Sequence, residues 1–258
     1  MRRKKYISLL NPFEKQITKR VLQVNPTIAP LRKEPAKTII SVYEYNATGV
    51  TEEQLDKVED CYKYLHTPNI SWINLDGLKK TDIDKVCTMF GIHPLIAEDI
   101  FSSGQRPKMD DLNQLLFCLL NMLYFNVVTN SVESEQVSLV LGANFVLSFQ
   151  EDASRDVFNP LREKIKTAGS KVRQSGGDYL FYSLIDMIVD NYFVIMEQLG
   201  EKIEGLEEDI TQRPDNKTLA KINMLRKEMI FLKRNISPVR EMVNGILRSE
   251  SYLIEGHL

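Results

Sequence analysis

Cysteine is scarce in this 258-residue chain: there are three, Cys61, Cys87 and Cys118, and no two are spaced as Cys-x-x-Cys. That excludes a zinc ribbon and a disulfide framework and fits a reducing compartment. Also missing is an uninterrupted apolar run of about 20 residues, the length a helix needs to cross a bilayer. The longest run, Leu115 to Val128, is broken by Asn121 and Asn126 and reads as a buried strand. The chain by itself is therefore expected not to span a membrane. No apolar stretch follows Arg2-Arg3-Lys4-Lys5, so no secretory signal is predicted. That short run is the one basic cluster in a chain of net charge −2, which argues against a nucleic-acid partner. HExxH, GxSxG, P-loop and GxGxxG patterns are all absent, so the expectation is a protein that is not an enzyme.

Apolar residues make up 43% of the chain, enough for a sizeable core, and charged residues of both signs make up 26%. Three regions are predicted. Residues 1–36, with Pro12, Pro26, Pro30 and Pro35, form an irregular lead-in. Residues 37–175 mix strands and helices. Strands are expected at 38–45, 70–75, 115–128, 136–141 and 144–150, and helices at 51–65, 81–90, 94–101 and 157–167. In residues 176–258 Gly and Pro become rare and apolar residues recur every three or four positions. One seam runs from Leu184 to Ile210 and a second from Ile222 to Ile246, joined by the short link 212–217. Pro238 should kink the second helix or mark a joint. The fold class is α/β: a mixed sheet sandwiched by helices, then a long antiparallel helical hairpin and the start of a stalk helix.

Few residues offer chemistry. His93 precedes Pro94 at a helix start and suits a cap; His66 and His257 sit in polar surroundings. Glu98 and Asp99 are adjacent, about 100° apart on a short helix, so they cannot chelate one ion as a pair. They lie near the negative end of the helix dipole, where a compensating cation would be favourable. Asp186 and Asp190 lie one turn apart on an apolar helix and need a partner or a solvent-facing position. Glu197, Glu201, Glu204, Glu207, Glu208 and Asp209 make the hairpin tip acidic, either as a solvated face or as a local attractor of cations.

Six blocks together resemble the cytosolic portion of CorA-type magnesium channels. They are Ile70-Ser-Trp-Ile-Asn-Leu75, Gly91-Ile-His-Pro-Leu-Ile-Ala-Glu-Asp99, Gln105-Arg-Pro-Lys108, Glu133-Ser-Glu-Gln-Val-Ser138, Asp178-Tyr-Leu-Phe-Tyr-Ser-Leu-Ile-Asp186 and Ile236-Ser-Pro-Val-Arg-Glu241. The resemblance covers roughly residues 38–255. It implies a homopentamer on the cytoplasmic face of the cell membrane, with a long stalk helix leading to two membrane helices and a Gly-Met-Asn pore motif. Those helices and that motif are absent from the sequence, so membrane attachment is expected only through a C-terminal segment beyond Leu258. The resemblance further implies that magnesium, with cobalt, nickel or zinc as alternatives, binds between neighbouring cytosolic domains and holds the channel closed. Glu98, Asp99 and Asp186 match three of its sensing carboxylates, and a fourth is expected beyond Leu258. A zinc-transporting relative and a metal-independent helical interaction module are the alternative readings.

Overall fold

The computed structural model describes residues 35–112, 114–212 and 216–254. The predicted lead-in falls outside the described residues except for its last two positions, and so does His257. Seven strands form one sheet: β1 Ile39–Tyr45, β2 Val50–Leu55, β3 Ile70–Asp76, β4 Lys108–Asp111, β5 Leu116–Asn126, β6 Ser131–Leu141 and β7 Phe145–Gln150. Their order is β2-β1-β3-β7-β6-β5-β4. Only β3 and β7 pair in parallel; the other neighbours are antiparallel.

Strand alternation divides the core in two. Tyr43, Trp72, Val146, Leu139 and Leu120 face one side, and Val42, Ile73, Leu147, Val140 and Phe117 face the other. Helices α1 Lys80–Met89 and α2 Pro94–Phe101, with a 3-10 helix at Val58–Tyr64, cover the second side. The first side carries α3 Asn159–Lys166, α4 Lys171–Gln174 and the long helices α5 Gly177–Gln212 and α6 Asn216–Arg248. Gly91 ends α1 because its φ of 67° lets the Ile92 amide reach back to the Cys87 carbonyl at 2.8 Å.

The ion pairs Lys202–Glu228 and Asp209–Lys221 show that α5 and α6 are antiparallel, since one number rises as the other falls. Along α5, Leu180, Leu184, Ile188, Tyr192, Ile195 and Leu199 are buried, in steps of four, four, four, three and four. Tyr192 donates its hydroxyl to the Asn121 carbonyl of β5 at 2.6 Å. Tyr192→Phe leaves that buried acceptor without its donor and is expected to destabilise the chain by about 1–2 kcal/mol, measured by urea unfolding.

Several expectations are corrected. Residues 51–65 are not one helix. Asn46 Oδ1 accepts from the Thr48 and Gly49 amides, both at 2.8 Å, and turns the chain back so that β2 pairs with β1. Pairing overrides local helix preference: Glu52 accepts from Tyr43 across the hairpin, and Glu53 accepts from Tyr64 on the 3-10 helix that follows. Strand β4 was not expected; its four mostly charged residues are drawn into register by β5. Strand β6 begins five residues earlier than predicted, at Ser131. Pro238 does not divide α6, which runs unbroken across it to Arg248. Helix α5 does have the length and hydropathy to cross a bilayer, contrary to expectation. In this fold one face of it packs on β5 and β6 and the opposite face carries exposed Asp186 and Asp190, as in an amphipathic core helix.

Candidate metal site

Helix α2 begins as its sequence dictates. Pro94 occupies the first turn, and His93 Nδ1 accepts from the Leu95 amide at 3.2 Å. Ile96, Ala97 and Ile100 are buried beneath it. That phase leaves Glu98 exposed and Asp99 half-buried at the margin of the helix. The carbonyls at this end are met by Gln136 Nε2, which donates to Asp99 O at 2.9 Å and Ile100 O at 3.3 Å.

The cation that two acids at a helix C-terminus call for is present in the chain. Lys108 Nζ on β4 lies 2.5 Å from Asp99 Oδ2 and 3.3 Å from Asp110 Oδ2. Partial burial works against the Lys108 charge, but hydrogen bonding to Asp99 and the charges of Asp110 and Asp99 prevail and raise its pKa.

Asp186 stands on the other side of the molecule. It is exposed on α5, where Tyr182 Oη donates to Oδ1 at 3.3 Å. The Asp186 charge, followed by partial burial, raises the Tyr182 pKa. The sequence left open whether Asp186 and Asp190 use basic partners or face solvent; they are exposed, and no Lys or Arg pairs with either among the described residues. At the hairpin tip Lys221 pairs with Asp209 at 2.5 Å, while Glu197, Glu201, Glu204, Glu207 and Glu208 are exposed.

Glu98 and Asp99 therefore belong to the layer on one face of the sheet, and Asp186 to the layer on the other. A single chain does not bring them together. Among the described residues no group of three or more His, Cys, Asp or Glu is placed to hold a metal ion. Burial raises the thiol pKa of Cys61 and Cys87 to about 12 and raises that of Cys118 as well, so none supplies a thiolate at neutral pH.

Two buried polar clusters escaped the sequence reading. Glu135 on β6 is 2% exposed. Its Oε1 accepts from the amides of Glu151 and Asp152, and its Oε2 has no partner. Burial pushes its pKa up to about 7, against the pull of those amides. The second cluster closes a ring beneath α3. Trp72 Nε1 donates to Ser148 Oγ (2.9 Å), which donates to Asn74 Oδ1 (2.6 Å), whose amide donates to Asp76 (3.0 Å). Gln150 Nε2 bridges Asp76 and Asp156, Asp156 pairs with Arg162, and the Arg162 guanidinium lies 5.1 Å from the Trp72 ring centroid. Burial is the main cause that raises the Asp76 pKa, and the Gln150 hydrogen bond opposes it. A charged residue on an inward-facing position of a strand was the available signal for both clusters.

Residues 68–256 match the family described as "CorA-like Mg2+ transporter protein". The chain is 38% identical over 217 residues to the cobalt/magnesium transport protein CorA of Thermotoga maritima, covering 84% of this chain and 62% of that protein. It is 26% identical over 204 residues to the putative metal ion transporter YfjQ of Bacillus subtilis, covering 78% of this chain and again 62% of the relative. The chain thus spans about 62% of the length of these curated relatives. In fold it is similar to the soluble domain of CorA from Methanocaldococcus jannaschii, with a TM-score of 0.66 at 18% identity over 84% of this chain and 82% of that one. It is similar also to the cytoplasmic domain of ZntB from Vibrio parahaemolyticus, with a TM-score of 0.62 at 16% identity over 83% and 81%.

Proposed function

Because the chain belongs to the CorA-like Mg2+ transporter family, we propose that it is the cytoplasmic, magnesium-sensing portion of a divalent-cation transporter, with Glu98, Asp99 and Asp186 as its sensing carboxylates. The observation that carries this reading is their placement on opposite faces of one sheet. An ion that uses both sets must lie between two copies of the chain. A ring of copies, a pentamer in the full-length protein, provides such a contact repeatedly.

The donors fit the ion. Magnesium takes oxygen ligands in octahedral geometry, keeps several of its waters and is bound through one or two carboxylates. Zinc prefers nitrogen and sulfur donors. The three cysteines are buried and His93 caps a helix. This favours magnesium over zinc, despite the fold shared with the ZntB domain.

The physical account is linkage. An ion bound between copies stabilises the closed assembly by its extra affinity for that state, and its removal leaves like charges facing one another. Asp99→Asn is expected to abolish measurable magnesium binding in isothermal titration, and Asp186→Asn to weaken it about tenfold. Both should also reduce magnesium-dependent association in sedimentation velocity. Unchanged affinity in both variants would remove the sensing role, and association that ignores magnesium would favour a metal-independent interaction module.

A further inference from the structure

Asp99 is not waiting for a metal with an open carboxylate. Lys108 Nζ stands 2.5 Å from it, and the same ammonium reaches Asp110 at 3.3 Å. One cation is shared by two carboxylates of unequal exposure, since the Asp99 side chain is 19% exposed and that of Asp110 41%. Lys108 also borders a groove of about 590 Å³ between β4 and α6, lined by Arg106, Met109, Pro238, Glu241 and Met242. The register of β4 turns Lys108 and Asp110 to the α2 side of the sheet and Met109 to the α6 side, so an ammonium that leaves Asp99 has Asp110 as the acceptor within reach.

We propose that Lys108 is a tethered counter-ion that holds Asp99 in the metal-free chain, and that a divalent cation binds Asp99 only by displacing it toward Asp110. This rests on the reading of Asp99 as a sensing carboxylate. A lysine and a divalent ion cannot share one half-buried carboxylate without strong repulsion, because two charges about 4 Å apart in such surroundings interact by several RT. The affinity of the site is thus set by a competition inside the chain.

The test is titration of magnesium chloride into the 258-residue chain and four variants, with thermal melts in parallel. Lys108→Gln is expected to bind magnesium about tenfold tighter than the unaltered chain. It should melt lower without magnesium, because Asp99 loses its partner, and should gain more from added magnesium. Lys108→Arg keeps the competing charge and is expected to bind within about twofold of the unaltered chain. Arg106→Gln removes the same charge from the same groove without an ion pair to Asp99, and is expected to change affinity by less than about twofold. Asp99→Asn should lose the binding. If Lys108→Gln binds no tighter than Arg106→Gln while Asp99→Asn loses binding, the counter-ion role is overturned and the sensing role of Asp99 stands. If Asp99→Asn binds as the unaltered chain does, the underlying reading fails and this inference falls with it.

Discussion

Arg162→Ala is expected to destabilise the folded chain by about 3–5 kcal/mol, read as a fall in the urea midpoint with little change in slope. Arg162 is 12% exposed and Asp156 only 8%, and the two are paired beneath α3. Asp76, 6% exposed, belongs to the same hydrogen-bonded ring through Gln150. Removing the guanidinium leaves two buried acids with no cation among them, and such an uncompensated charge costs several kcal/mol. It also strips a flat cation from Trp72, 5.1 Å from the ring centroid, and from Tyr43, 6.0 Å away. Arg162→Lys restores the charge but neither the fork nor the stacking surface, so it should recover only about half of the loss. If the alanine variant costs under about 1 kcal/mol, the ring is not what anchors α3 to the sheet.

Glu135 should make stability depend on pH across the neutral range. Burial raises its pKa from the ordinary 4.5 to about 7, so the folded chain holds a proton that the unfolded chain releases. The stabilisation from Glu135 is therefore complete below about pH 4.5 and is lost as pH rises through 7. A shift of this size corresponds to about 3 kcal/mol. Glu135→Gln cannot ionise, and its amide oxygen can still accept from the Glu151 and Asp152 amides. The variant is expected to match the unaltered chain near pH 5 and to exceed it by about 1–3 kcal/mol at pH 8.5, in denaturant titrations at both pH values. Parallel pH profiles for the two proteins would show that Glu135 does not titrate there.

Much of the fold was legible in local pattern. Pro94, His93 and the apolar positions Ile96, Ala97 and Ile100 are enough to set α2, and its bounds match the expected ones. The three- and four-residue spacing from Leu184 to Ile210 and from Ile222 to Ile246 likewise foretold α5 and α6 as neighbours. These signals are short-range: a helix closes its hydrogen bonds within itself, so its sequence carries its own evidence.

Strands β2 and β4 were not legible for the opposite reason. Thr51-Glu-Glu-Gln54 and Lys108-Met-Asp-Asp111 have no strand signature, and they extend because β1 and β5 offer unpaired backbone edges. The Asn46-Ala-Thr-Gly49 turn was the one local hint of β2. The candidate site divides along the same line. Motif resemblance was sufficient to single out Glu98, Asp99 and Asp186. That Asp99 is held by Lys108, and that a sheet separates it from Asp186, follows from pairing between distant segments. The absence of the HExxH, GxSxG, P-loop and GxGxxG patterns was a property of the sequence alone. Whether a charge on that chain stands free, paired or opposite another was decided by tertiary structure, because it depends on what folding brings within a few ångströms.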